Sequence, residues 1–119
     1  MSTPEDSILI TIATSIGLSA DYLTDNEAFN EELIISINTQ LNKLNQLGIG
    51  TPGFAITGDT EVWADFLVDV PAEKQWMTKQ YVRLNTKRSF DPPNSGILSS
   101  QLDNELKELE FRLLVDQED

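Results

Sequence analysis

TDNEAFNEELIISINTQLNKLNQLG, residues 24–48, is the stretch that decides the fold class. Its opening, Thr24-Asp25-Asn26-Glu27, matches a capping box, in which a Thr hydroxyl and a Glu carboxylate each satisfy a backbone donor of the other residue. Apolar residues follow at Ile34, Ile37, Leu41 and Leu44, the spacing that lays one stripe along a helix, and Phe29, Leu33 and Leu47 widen it. Gly48 stands where a C′ glycine ends a helix. The stretch therefore predicts a helix of about 22 residues, about 33 Å long at 1.5 Å per residue.

Working outward toward the N-terminus, Ser19 to Leu23 reads as a connector. Before it, Ile8, Ile12 and Ile16, with Leu9 and Ala13, outline a first helix. Thr3 is placed to cap it, Pro4 to occupy N1, and Glu5 and Asp6 to favour the positive end of the dipole, with Gly17 as the stop. Toward the C-terminus, residues 48–60 (GIGTPGFAITGDT) hold four Gly and one Pro and predict an irregular loop. Within it, Phe54-Ala55-Ile56 is either a short strand or a segment tucked under the helices. Asp59 or Thr60 would cap a short helix over residues 61–67, with Trp63, Phe66 and Leu67 on one face.

Pro71 suits N1 of a further helix running to about Ser89. Met77, Tyr81 and Leu84 form one stripe of it, with Trp76 beside them, and Lys79, Arg83 and Lys87 form another at i, i+4, i+8. Phe90-Asp91-Pro92-Pro93 ends the helix, because a residue before proline disfavours the helical region. This is read as a stiff structural corner, with the Phe90 ring turned inward beside Leu84 and Leu98. Asn94 or Ser95 then caps a last helix with the face Leu98, Leu102, Leu106, Leu109 and Leu113. Asp103–Lys107 and Glu108–Arg112 are i, i+4 pairs in the favourable order. The expectation is one all-α domain over residues 1–119: four main helices, one short helix, a Gly-rich middle loop, and a frayed acidic tail at 116–119.

Composition narrows the chemistry. The 119 residues carry a net charge of −12, with no Cys and no His. Thiol catalysis, disulfides and thiolate metal sites are excluded, and so is the commonest general base. So acidic a chain is a poor nonspecific binder of phosphate backbones. No apolar run approaches the roughly 20 residues of a membrane span, and the N-terminus lacks the basic start of a signal peptide. GIGTPG is not followed by the Lys-Ser/Thr of a phosphate-binding loop. Asp59 and Glu61 offer two oxygens but no calcium-loop pattern, and Glu27, Glu31 and Glu32 read best as a solvated, dipole-stabilising helix start. No catalytic residue, cofactor site or metal site is assigned. The aromatics Trp63, Phe66, Trp76 and Tyr81 are read as core or subunit interface.

The charge is also blocky. Residues 1–42 hold seven acids and no base, residues 59–73 five acids and no base, and residues 74–88 five of the eight bases and no acid. Either the chain meets copies of itself, basic patch to acidic patch, or these bases pair within the fold.

Residues 81–113, YVRLNTKRSFDPPNSGILSSQLDNELKELEFRL, resemble the C-terminal half of tailed-phage head–tail connector proteins, also labelled DNA-packaging or head-completion proteins. The matching features are Arg88 with Phe90-Asp91-Pro92-Pro93, then Lys107-Glu108-Leu109-Glu110-Phe111-Arg112-Leu113. Earlier in the chain, Leu44-Asn45-Gln46-Leu47-Gly48-Ile49-Gly50 resembles the family's second-helix ending, and Trp63-Ala64-Asp65-Phe66-Leu67 its short Trp-containing helix. Two departures are Phe111, where the family pattern has Trp, and a first helix at Ile8-Leu9-Ile10 without basic residues.

The resemblance implies a structural adaptor, not an enzyme, made in the host cytoplasm and located at the head–tail neck of the virion. It implies a homo-oligomeric ring, on the order of twelve copies, closed by a heterologous interface. The ring would sit between the portal protein and a tail-side connector or tail terminator, with DNA passing through the lumen without specific binding and with no membrane. The residues placed at a subunit or portal interface are Lys79, Arg83, Lys87, Arg88, Asn94, Ser95 and Gly96. The rival reading is an acidic DNA mimic or inhibitor of a nucleic-acid-binding partner, which −12 would suit and the bases at 74–88 would not.

Overall fold

A computed structural model describes residues 6–90 and 95–115. Six helices lie among them: α1 (Ile8–Ser15), α2 (Ala20–Asp25), α3 (Glu27–Gln46), α4 (Trp63–Phe66), α5 (Ala72–Phe90) and α6 (Gly96–Val115). The all-α expectation is met. The described residues contain no strand, only one bridge between Ser7 and Val62. The helix α5 is central, packing against α6, α3 and α1. The core runs from Ile8, Leu9 and Ile12 through Leu33, Ile37, Leu41 and Leu44 to Trp63, Phe66, Tyr81, Val82, Leu106 and Leu113.

Both expected glycine stops form. At the end of α3, the Gly48 N–H donates to the Asn45 carbonyl (2.9 Å) and the Ile49 N–H to the Leu44 carbonyl (2.9 Å), with Gly48 at φ +85°. At the end of α1, the Gly17 and Leu18 N–H groups repeat the pattern on Thr14 and Ala13, with Gly17 at φ +91°. These are Schellman motifs, which satisfy carbonyls that the helix leaves unpaired and need a residue tolerant of positive φ.

The helix starts differ from expectation. Thr3, Pro4 and Glu5 lie outside the described residues, but Ser7 is extended, and its Oγ accepts the Ile10 N–H at 3.2 Å, so α1 begins at Ile8. The cause is tertiary: the Ile8 N–H donates to the Glu61 carbonyl and the Trp63 N–H to the Asp6 carbonyl, both at 3.0 Å, which holds residues 6–8 extended beside 61–63. The connector expected at Ser19–Leu23 is helical. Ser19 Oγ accepts the Tyr22 N–H (3.1 Å) and starts α2, so Thr24 falls inside that helix and the capping box does not form. Asn26, with no side-chain cap bond, precedes α3 instead. The buried stripe of α3 keeps Ile37, Leu41 and Leu44 as expected but begins at Leu33, which is fully buried, with Ile34 only partly so.

The middle segment is irregular, as its glycines predict, yet firmly held. It is not a strand at 54–56 but is tucked in: Ile56 is buried, and the Phe54 ring lies 5.4 Å from that of Phe66. The Asn38 side chain bonds both backbone groups of Ile56, accepting its N–H (2.7 Å) and donating to its carbonyl (3.0 Å). One α3 heptad on, Asn45 donates to the Ile49 carbonyl (2.8 Å) and accepts the Gly53 N–H (3.2 Å). Gly50, at φ +86°, lies so close to the Phe66 ring that a Cβ there would collide with it. The short helix spans Trp63–Phe66, less than the expected 61–67, and neither Asp59 nor Thr60 caps it. Val62 occupies the N-cap, and the Asp6 carboxylate accepts the Ala64 N–H at 3.0 Å.

The α5–α6 hairpin follows its leucines closely. Pro71 sits just ahead of Ala72, and Ser95, one of the two expected caps, accepts the Leu98 N–H at 3.1 Å. Leu102, Leu106, Leu109 and Leu113 are buried, whereas Leu98, in the first turn of α6, is 52% exposed. Glu108–Arg112 forms as expected (2.7 Å), but Asp103 pairs with Arg88 of α5 at 2.7 Å, where Lys107 was expected. Phe90 ends α5, is partly buried against the core as expected, and packs edge-on against Phe29 of α3, ring centroids 5.1 Å apart. Asp91, Pro92, Pro93 and Asn94 lie outside the described residues.

Candidate interaction surface

The bases at 74–88 separate into buried, paired and outward-facing members. Lys74 is only 2% exposed, and its Nζ donates to the Leu113 carbonyl at 3.2 Å in the last turn of α6. Its charge thus meets the negative end of a helix dipole and is withdrawn from the surface. Arg88 is tied to Asp103. Lys79 is half exposed; its Nζ lies 3.9 Å from the Asp6 carboxylate and 5.9 Å above the Trp63 ring. Arg83 donates its Nε–H to Gln80 Oε1 at 2.7 Å. Neither Arg83 nor Lys87 forms an ion pair among the described residues.

Helix geometry gathers the outward members. At 3.6 residues per turn, Trp76, Gln80, Arg83 and Lys87 fall within a sector of about 60°, with Lys79 next to it. The opposite side of α5 carries the buried Lys74, Thr78, Tyr81 and Asn85. Trp76 is 56% exposed, which is unusual for so large an apolar ring. Shallow grooves flank the stripe. One, of about 160 Å³, lies between α5 and α6, where Leu109 and Arg112 face Trp76 and Gln80. The other, of about 130 Å³, lies between α1 and α5, where Thr11 and Ser15 face Lys79 and Arg83. Ser95 and Gly96 are exposed at the other end of the hairpin, at the start of α6.

A second outward surface belongs to α3. Glu31, Glu32, Ile35 and Thr39 are exposed on the side turned from the core, and Ile35 is 64% exposed. Sequence reasoning missed Ile35 as a surface residue. The available signal is that it lies off the stripe of Leu33, Ile37, Leu41 and Leu44. It also missed the burial of Lys74, which nothing local announces.

Two ionisable groups are perturbed, both for structural reasons. Partial burial pushes the Glu61 carboxyl up, but the Thr57 hydroxyl and the Thr57 and Gly58 amides outweigh it and hold the group below its ordinary value. Burial, reinforced by the neighbouring Glu110 carboxylate, pushes the Tyr81 phenol well above its ordinary range, and its hydroxyl donates to Glu110 Oε1 at 2.8 Å. Among the described residues, no three acidic side chains converge as metal ligands, and no helix is long and apolar enough to cross a membrane. Among the described residues, the outward features are the charged and apolar ridges of α3 and α5.

A family model described as phage connector protein matches residues 8–119. No curated protein matches the chain, and no solved structure does.

Proposed function

Because the chain belongs to the phage connector protein family, we propose that it is a structural adaptor of the head–tail neck. It forms a homo-oligomeric ring seated on the portal protein, completes the head after DNA packaging and receives a tail-side connector or tail terminator. The observation that carries this reading is the family match over residues 8–119. The outward stripe Trp76, Lys79, Arg83 and Lys87 supports it, since a ring needs two unlike surfaces that complement each other. The net charge of −12 suits a lumen that repels the DNA backbone and lets it slide. Catalysis has no part in this role. The DNA-mimic alternative is disfavoured by the same cationic stripe, which a phosphate mimic would not display.

The test is electron microscopy of virion necks and of the purified protein added to portal-bearing heads. The expected result is ring density at the portal vertex that accounts for this chain. Heads that accept tails normally without the protein would sink the proposal.

A further inference from the structure

Building on the connector reading, we infer that the α3 ridge of one copy docks antiparallel onto the α5 stripe of the next, with Ile35 against Trp76. Each ridge has one exposed large apolar residue, Ile35 or Trp76, and their charges are opposite, with Lys79 exposed and Arg83 and Lys87 half-buried. Glu31, Glu32 and Glu27 lie on α3, and Asp21 and Asp25 on α2, which packs against α3; Lys79, Arg83 and Lys87 lie on α5. The spacing sets the orientation. On α3 the acids precede Ile35, Glu32 by three residues, Glu31 by four and Glu27 by eight. On α5 the bases follow Trp76, Lys79 by three, Arg83 by seven and Lys87 by eleven. Only an antiparallel pairing that sets Ile35 on Trp76 brings the first charges together about 5–6 Å along the axis and the next about 11–12 Å along it. A parallel pairing would place the acids against residues 68–73, which include Asp69 and Glu73.

Helix-dipole stabilisation accounts for Glu27 in the first turn of α3 and Lys87 in the last turn of α5. It does not account for Glu31, Glu32, Lys79 or Arg83, which lie further in, nor for an isoleucine and a tryptophan left in water. Tryptophan is the residue that most often anchors an interface, and charges around it set register and partner. Each ridge faces away from the core that α3 and α5 share, so the two point outward from opposite sides of that pair. Contacts of this kind are heterologous: every copy offers both halves, and the chain of contacts continues until a ring closes.

The natural absence of cysteine makes the test direct. Thr39→Cys and Ala72→Cys lie one helical turn beyond Ile35 and Trp76 and leave both anchors and all the charges in place. The two single-cysteine proteins are mixed, treated with a short bismaleimide, and examined both concentrated in solution and bound to portal-bearing heads. The expected product is the mixed 39–72 adduct, falling about tenfold at high salt as exposed charges are screened. Glu31→Lys with Glu32→Lys in one protein, or Lys79→Glu with Arg83→Glu in another, should each abolish the adduct while leaving helical circular dichroism unchanged. Mixing these two reversed proteins should restore it. Rings that form without the 39–72 adduct, or reversed proteins that are not rescued by mixing, would overturn the pairing and leave the connector reading standing. The adduct in filaments that never engage heads would support the pairing and remove the adaptor role. Absence of any self-association, on heads or off them, would defeat both.

Discussion

The middle segment between α3 and α5 and the α5–α6 hairpin are held by opposite means. In the middle segment, polar side chains from elsewhere bond the irregular backbone: Asn38 and Asn45 from α3, Asp6 from before α1, and Glu61 from within. In the hairpin, side chains reach the backbone at the helix ends, Lys74 on the Leu113 carbonyl and Ser95 on the Leu98 N–H, and a leucine stripe closes the interface, with Arg88–Asp103 and Glu108–Arg112 on its outside. The difference teaches where stability resides. A helix needs its neighbour only for its apolar face, whereas an irregular segment needs partners for its N–H and C=O groups as well.

The comparison is most exposed to failure in the apolar anchors. Phe66→Ala, in the middle segment, should cost about 3–5 kcal/mol, and Leu106→Ala, in the hairpin, about 2–5 kcal/mol, both read from urea melts. A loss near zero at either site would show that its region does not rest on that apolar anchor. Asn38→Ala tests its polar half. Leaving both Ile56 backbone groups without their partner should cost about 1–3 kcal/mol, while the exposed Asn42→Ala serves as a near-neutral control. A neutral Asn38→Ala would mean that water replaces the amide and that the segment is not pinned as described.

The two regions should also fail at opposite ends of the pH scale. The Glu61 carboxyl is held below its ordinary 4.5, so its contribution is complete above that value and is lost as pH falls through the lower folded one. Glu61→Gln should flatten that acid-side loss. The Tyr81 phenol is raised above its ordinary 10.0, so its contribution is complete below that value and is lost as pH rises beyond it. Tyr81→Phe should remove that alkaline slope. Thermal melts across pH, each variant against wild type, read both effects. The smallest change is expected for Arg88→Ala: the pair with Asp103 is half exposed at both partners, so its loss should cost about 0–1 kcal/mol. A larger cost would make the ion pair, and not the leucines, the clasp of the hairpin.

Periodicity and punctuation were sufficient wherever structure is local. The leucines at 102, 106, 109 and 113 read as a buried face and are one, and Gly17 and Gly48 read as helix ends and are that too. Ser7 and Thr24 show where local reading stops. Ser7 caps α1 because residues 61–63 hold the chain extended before it, and Thr24 loses its capping role because Ser19 has already started a helix. Of the interface candidates, Lys79, Arg83 and Lys87 fall on one side of α5, whereas Arg88 is engaged with Asp103, and Ser95 and Gly96 are exposed at the start of α6.

By itself, then, the sequence determined an acidic, cysteine-free, all-α chain, the places where its helices end, and a likeness that the family match bears out. These follow from composition, from side-chain period and from the conformational freedom of glycine, all of which act within a few residues. Only the tertiary structure decided which charges remain outside. Lys74 and Lys87 look alike in sequence, yet one is sealed under the end of α6 and the other is half-buried on the side of α5 that carries Trp76. The reason is that burial depends on which neighbour covers a helix face, and that neighbour comes from a distant part of the chain.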